Sequence, residues 1–285
     1  MRRVCFLSTD DLDGYTFDDD LAVGPLNDLG WHVDTVSWHD PRTDWNDYEA
    51  VVIRTTWDYQ HHTDEFLKVL QKIDASSARL ENPIDIVRWN LSKTYLREMY
   101  ELGCPIVPTL WNEVYSGAAF ERWQRDLNSD QLIIKPTVSA TAEHTYRLKM
   151  FDPELDGIFA EREFMVQPFM PAIVSEGEYS LFYFGGEFSH AISKCPKLKD
   201  FRVQEEHGGI ITAVEPDSAV REAGDKAVGT TGRELLYTRV DLVRDGDARL
   251  LLMELELIEP ALYFRMDVRS SKLFAEQFHR RMNEL

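Results

Sequence analysis

The stretch "YTRVDLVRDGDARLLLMELELIEP", residues 237–260, limits the fold more than any other part of this chain. Two runs of alternating apolar and charged residues flank "RDGDA", which carries an Asp-Gly hairpin signal. They read as paired antiparallel strands. Side chains two apart on a strand share a face, so Glu254 and Glu256 are neighbours, and so are Arg239 and Asp241. A turn centred near Gly246–Asp247 sets Asp241 roughly opposite Glu254. Two readings follow from the pattern. The acids form a solvated face in which Arg239 pairs with one of them, or they aim at a cation. Three carboxylates converging on one arginine are electrostatically awkward without a further cation. Magnesium, held by a few carboxylates plus substrate phosphates, would relieve them.

Upstream, strands and helices alternate. "RRVCFLS", "HVDTVSW" and "YEAVVIRT" read as strands, and "DDDLAVGPLNDLG" and "DEFLKVLQKI" as helices, the first closed by Gly30. That alternation predicts a small parallel sheet ending near "ENPIDIVRW". A helix over "NLSKTYLREMYELG", stopped by Gly103, leads to strands "PIVPTL" and "QLIIKPT" around a helix, "GAAFERWQRDL". From "EFMVQPFM" onward the chain is strand-rich, through "EYSLFYFGGEFSHAISK" and "GGIITAVEP". The helices "SAVREAGDKAVGTTG" and "SKLFAEQFHRRMNEL" interrupt and close this half. The class is therefore α/β with a strand-rich α+β second half.

A net charge of −19 argues against a nucleic-acid partner, because an acidic surface repels phosphate backbones. Any ATP site must then be a local basic island. Cys5, Cys104 and Cys195 are odd in number and far apart, which supports neither a disulfide framework nor a zinc site and fits a reducing cytoplasm. The apolar run in "MRRVCFLSTDD" is too short for a signal peptide, and no stretch is long enough to span a membrane. Neither a G-x-x-x-x-G-K-[ST] loop nor a G-x-G-x-x-G fingerprint occurs. "TDDLDGYTFDDD" imitates a calcium loop through Asp11, Asp13, Gly14 and Asp20. Thr9 holds the first ligand position, however, and Asp20 replaces the bidentate Glu. The other reading is a polar loop after the first strand, facing a ligand. The histidines show no metal spacing.

The basic residues point to an anion. Lys135 ends the apolar strand "LIIKPT", so its charge is directed into a site or snorkels to the surface. Lys93 lies in the preceding helix. Arg202 precedes "VQEEHGG", where Gly208 and Gly209 let backbone approach a ligand closely. Arg54 and Thr55 in "VVIRTTWDY" sit where a strand meets a loop, the ligand edge of an α/β sheet. Arg54 could pair bidentately with a substrate carboxylate, or form a surface salt bridge with a nearby acid.

The order of these motifs resembles the ATP-grasp superfamily, in its bacterial glutathione synthetase and ribosomal-protein glutamate ligase branch. "RTTWDY", "KPTVSAT" and "ELELIEP" look most like the ATP-grasp ligases linked to cycloserine biosynthesis. The resemblance implies an N-terminal parallel α/β substrate-binding domain over 1–90. A central subdomain over 91–166 and a C-terminal catalytic subdomain over 167–285 would then clasp ATP. Lys93 and Lys135 match lysines that hold the phosphates, and Ser139 and Thr141 would cradle them. Gln167, Phe169 and Met170 match the hinge that binds adenine, and Glu178 the acid on the ribose. Arg202 and Arg239 would offset charge at the transferred group. Asp241, Glu254 and Glu256 match ligands of two magnesium ions, and Gly208 and Gly209 the acceptor side. Two departures stand out: Glu256 replaces an Asn, and the lid "TVSATAEHT" is glycine-free. Pro168 also removes one hinge N–H.

The activity implied is an ATP- and Mg-dependent ligase that joins a carboxylate to an amine through an acyl phosphate, on a small amino-acid-like substrate. A cyclase of one amino-acid derivative, a phosphotransferase without ligation, and a binding protein without catalysis are the alternatives. A homodimer is compatible with the branch, though no sequence feature establishes it.

Overall fold

A computed structural model describes residues 1–198 and 200–284. It contains three sheets in chain order. The first is parallel, with β1 (Arg2–Ser8), α1 (Val23–Asp28), β2 (Trp31–Ser37), β3 (Ala50–Thr55), α2 (Thr63–Asp74) and β4 (Arg79–Glu81) arranged as β2-β1-β3-β4. Apolar residues of α2 recur at helical spacing, so Phe66, Leu70 and Ile73 are buried against one face of that sheet. Gly30, at φ +87°, ends the α1 segment in a conformation that favours glycine.

The expected single helix over 90–103 is two helices, α3 (Ile84–Asn90) and α4 (Tyr95–Glu101). Lys93 therefore sits in the turn between them and not inside a helix. The expected strand "PIVPTL" shrinks to β5 (Leu110–Trp111), because Pro105 and Pro108 have no N–H for a ladder. The 105–107 segment instead bridges the last strand, Val107 donating to the Leu252 carbonyl and Leu252 to that of Pro105.

The second sheet follows with α5 (Gly117–Asp126), β6 (Leu132–Pro136), β7 (Tyr146–Leu148), α6 (Asp156–Phe159) and β8 (Phe164–Pro168), in the order β5-β8-β6-β7. Next come α7 (Ala172–Ser175), β9 (Glu178–Phe184), β10 (Glu187–Cys195), β11 (Ile210–Val214), α8 (Ser218–Thr230), β12 (Tyr237–Arg244), β13 (Leu250–Glu256) and α9 (Ser270–Arg281). The third sheet is antiparallel, β11-β10-β9-β12-β13. Gly185 and Gly186, both at positive φ, make the tight β9–β10 hairpin. In the β12–β13 hairpin the left-handed residue is Ala248, and the Asp245 carboxylate ties the turn by accepting from the amides of Asp247 and Arg249.

α9 does not stay with the third sheet alone. Phe274 and Phe278 are fully buried in a core shared with Val4, Phe6 and Trp31 of the first sheet and Phe182 and Phe184 of the third. Truncating either aromatic to Ala would cost about 3–5 kcal/mol. No helix among the described residues is long and apolar enough to cross a membrane.

Candidate active site

β12 is buried over seven of its eight residues, so the alternation that opened the sequence reading does not mark a wet face. Asp241 lies opposite Glu254, near where the turn suggested, and Arg239 lies opposite Glu256, in a register set by a bulge between Asp241 and Leu242. Glu254 and Glu256 line a large cavity between the sheets, with Asp241 buried beneath them. Around the same cavity are Lys93, Lys135, Ser139, Thr141, Gln167, Phe169, Met170, Glu178, Arg202 and Arg239.

Every acid of the floor is met by a protein cation. The Lys93 ammonium is 3.1 Å from Glu254 and donates to the Ser139 carbonyl at 2.7 Å. Arg239 bonds Asp241 at 3.0 Å and also Glu256. Burial works against the charge on Glu254, but Lys93 and Lys135 outweigh it and hold its carboxyl below the ordinary range. Arg239 and Lys194 do the same for Asp241. Glu256 behaves differently, because burial and the neighbouring acids push its carboxyl up to about 7. Lys135 has its pKa lowered by burial, with Glu254 pulling the other way.

Lys194 belongs to this floor although the sequence reading passed over it. It faces Glu178 across the β9–β10 ladder, pairs with it, and lies 3.5 Å from Asp241. Burial opposes its charge, yet Asp241 and Glu178 hold its pKa above the ordinary value. Counting back from the Gly185–Gly186 turn puts Ser193 opposite Glu178. An irregularity between Phe188 and His190 shifts the ladder by one residue and puts Lys194 there instead. Glu259 and Tyr59, which also line the cavity, were missed as well. Glu259 lies beyond the strand and off its alternation, and Tyr59 sits in an irregular segment.

The hinge narrows the expectation for Gln167, Phe169 and Met170. The Phe169 amide is taken by the Gln131 carbonyl at 2.8 Å, and the Gln167 side chain donates to Thr109 at 3.0 Å. No partner occurs among the described residues for the Met170 N–H, which leaves it as the hinge amide able to donate to a base. Arg147 stacks 3.5 Å over the Phe169 ring and holds it in place.

The roof is the loop 137–145. Thr141, Ala142 and His144 hold φ of 51°, 56° and 51° without glycine, a conformation that costs L residues about 1–2 kcal/mol each. His207 Nε2 lies 3.2 Å from the Thr141 carbonyl, and Glu143 lies between His61 and His144 at 3.8 and 3.4 Å.

Four expectations are corrected. Arg54 is 1% exposed and lies outside the cavity wall. Its guanidinium bonds Asp19 at 2.9 Å and the Pro260 carbonyl at 2.8 Å, so it is not free for a substrate carboxylate. Thr55 is buried and donates to Ser8 at 2.7 Å. Gly208 and Gly209 line no part of the cavity. Gly208, at φ +82°, turns the chain, and a Cβ on Gly209 would fall 1.9 Å from the Val203 carbonyl oxygen, so the close approach is internal to the loop. In the calcium-like stretch, Asp18 bonds Arg265 and the Phe264 amide and Asp19 bonds Arg54, whereas Asp11, Asp13 and Asp20 are exposed.

The donor set suits magnesium by chemistry, since hard oxygens face the cavity. No three His, Cys, Asp or Glu among the described residues converge into a ready cage. That is compatible with an ion that takes one or two carboxylates and completes its shell with phosphate and water.

The chain is similar to known proteins over most of its length. A family model for the N-terminal domain of D-cycloserine synthetase DcsG matches residues 4–82. The cycloserine biosynthesis protein DcsG of Streptomyces lavendulae is 28% identical over 278 residues, covering 89% of this chain and 90% of that protein. The crystal structure of D-cycloserine synthetase DcsG superposes with a TM-score of 0.86 at 24% identity, covering 99% of this chain and all of the other. The ATP-grasp ligase PsnB, solved with a minimal precursor, Mg and ADP, gives 0.65 at 14% identity, covering 99% and 98%. D-alanine–D-alanine ligase of Bacillus anthracis gives 0.68 at 13%, covering 100% and 99%. The chain therefore shares the fold of D-cycloserine synthetase, of the ATP-grasp ligase PsnB and of D-alanine–D-alanine ligase.

Proposed function

We propose that this chain, which has the fold of the ATP-grasp ligase PsnB and of D-cycloserine synthetase, activates a small amino-acid-like carboxylate with ATP and joins it to an amine. The observation that supports this best is the buried floor. Lys93, Lys135, Lys194 and Arg239 meet Asp241, Glu254 and Glu256 on one cavity wall, opposite a hinge with a free Met170 amide.

In this reading the substrate carboxylate attacks the γ-phosphorus of ATP, and ADP leaves. The amine then attacks the acyl carbon and phosphate departs. No side-chain nucleophile is required. Two magnesium ions, held by Asp241, Glu254 and Glu256, would supply the countercharge for the phosphates. Lys93, Lys135 and Lys194 line the phosphate path, and Ser139 and Thr141 cover it. Met170 donates to the adenine ring between Phe169 and the cavity. Glu178, held by Lys194, reaches the ribose. Arg202, oriented by Asp200 at 3.0 Å, offsets charge on the transferred group. The reaction runs in a reducing cytoplasm, in keeping with three unpaired cysteines.

Similarity to D-cycloserine synthetase along nearly the whole chain favours a second form of the same chemistry, in which acid and amine belong to one molecule and a ring closes. Mg-dependent ADP release over amino acids, dipeptides and ureido derivatives, singly and in pairs, tests both. Release with one pair establishes ligation. Release with one compound, and a product lighter by one water, establishes cyclisation. A phosphorylated product would replace both readings.

A further inference from the structure

The cavity has a second end, where the N-terminal unit meets the chain just past β13. Two hydrogen bonds close that seam: Trp57 Nε1 donates to the Glu259 carbonyl at 2.9 Å, and Arg54 donates to the Pro260 carbonyl at 2.8 Å. Trp57, Tyr59, Glu259, Tyr15 and Glu206 all face the cavity there, and the Tyr15 and Trp57 rings lie 5.1 Å apart.

The charges at this end do not balance. Arg54 is taken by Asp19, Arg265 by Asp18 and Glu205, Arg239 by Asp241 and Glu256, and Lys93 by Glu254. Glu259 forms no ion pair among the described residues, and Lys93, which offsets its charge from a distance, is itself paired with Glu254. A largely enclosed carboxylate without a counter-ion is unfavourable unless a cation arrives or a proton stays. Aromatic faces beside it favour an organic cation over a hydrated metal ion. A second carboxylate on the substrate would meet Glu206, Glu256 and Glu259, with Arg54, Arg239, Arg265 and Lys93 already paired.

We propose that Glu259, which lines the cavity beside Tyr59 and Trp57, binds the primary ammonium group of the substrate whose carboxylate is activated at the Glu256 end. The substrate is then an amino acid carrying a free ammonium and a single carboxylate. This rests on the reading of the cavity as an ATP-grasp active site. It adds a specificity-determining residue on the substrate side and moves substrate recognition from Arg54 to Glu259.

The test uses the full chain, saturated with ADP and Mg²⁺, and calorimetric titration with two probe pairs: DL-alanine against propionate, and DL-serine against 3-hydroxypropionate. The wild type should bind each amino acid at least about tenfold more tightly than its des-amino partner. Glu259→Gln should bring that ratio toward one while changing ADP affinity and Mg²⁺ half-saturation by less than about twofold. Glu259→Asp should keep part of the ratio, which guards against a variant that merely folds badly. Tyr59→Phe should lower the ratio without abolishing it, as expected of a neighbour in the same cavity. A wild type without preference overturns the proposal. So does Glu259→Gln if it weakens both members of a pair equally, or if it moves Mg²⁺ half-saturation, which would make Glu259 a metal ligand. Absence of ADP binding would instead sink the ATP-grasp reading, and the probe ratios measured without nucleotide would still decide the role of Glu259.

Discussion

The floor of the cavity carries its charges on strands β9, β10, β12 and β13, each fixed by a cross-strand neighbour, as Lys194 is by Glu178 and Arg239 by Glu256. The roof, residues 137–145, carries few charges and holds its shape through backbone conformation, with three left-handed residues and no glycine. Both cover the same space. The floor is costly to change because burial leaves any orphaned charge without water. The roof holds its shape at a cost, with three residues other than glycine kept in the left-handed region. A rigid charged floor and a strained cover suit a reaction that must first align phosphates and then exclude water.

The floor should break first. Lys194→Met leaves Glu178 and Asp241 with only Arg239 between them. It should lower stability by about 3–5 kcal/mol, seen as a lower urea midpoint with an unchanged slope. A shift below 1 kcal/mol would mean water enters the floor. Glu254→Ala acts on chemistry more than on folding. Mg-dependent ADP release should fall on the order of a hundredfold or more, with a circular dichroism spectrum like the wild type. Full turnover in a folded variant would end the metal assignment.

The roof should respond in the opposite sense. Ala142→Gly removes one strained residue and should raise the Tm by about 2 °C, since a gain near 1 kcal/mol spreads over a long chain. A fall in Tm would show that the left-handed backbone is not strained in solution. The smallest effect lies at the seam, where burial and Glu256 push the Glu259 carboxyl up to about 8. Its pKa is raised on folding, so the folded protein binds the extra proton. That contribution is complete below the unfolded value near 4.5 and is lost as pH rises through about 8. In the absence of ligands, Glu259→Gln should gain Tm relative to the wild type between pH 5 and 8.5, by a few degrees at most given its partial exposure. A gap that is flat with pH would mean Glu259 stays ionised.

Much of this was legible because strands impose a period of two. Arg239 and Asp241 share a face, as do Glu254 and Glu256, but counting outward from the turn sets Asp241 opposite Met253, and the bulge between Asp241 and Leu242 brings Glu254 there. What stayed hidden lay where a period breaks. The β10 irregularity concealed Lys194, and Glu259 follows the end of a strand. Arg54 misled because a sheet edge predicts where a side chain emerges and says nothing of a partner thirty-five residues upstream, Asp19. Hinge amides misled for the same reason: that Gln131 takes the Phe169 N–H is a tertiary fact with no local signal.

The packing of α9 against β1 and β2 has a consequence for how the molecule is made. Arg2 bonds Asn283 and the Met282 carbonyl, and Phe278 lies under Trp31. One face of the first sheet therefore stays bare until α9, far downstream in the chain, has been made. The N-terminal unit cannot mature ahead of that helix; it must wait for it with its apolar face open. A chain stopped at Arg269 should show β1 and β2 amides exchanging with deuterium as fast as those of loops, and strong protection there would mean the first sheet closes without its last helix.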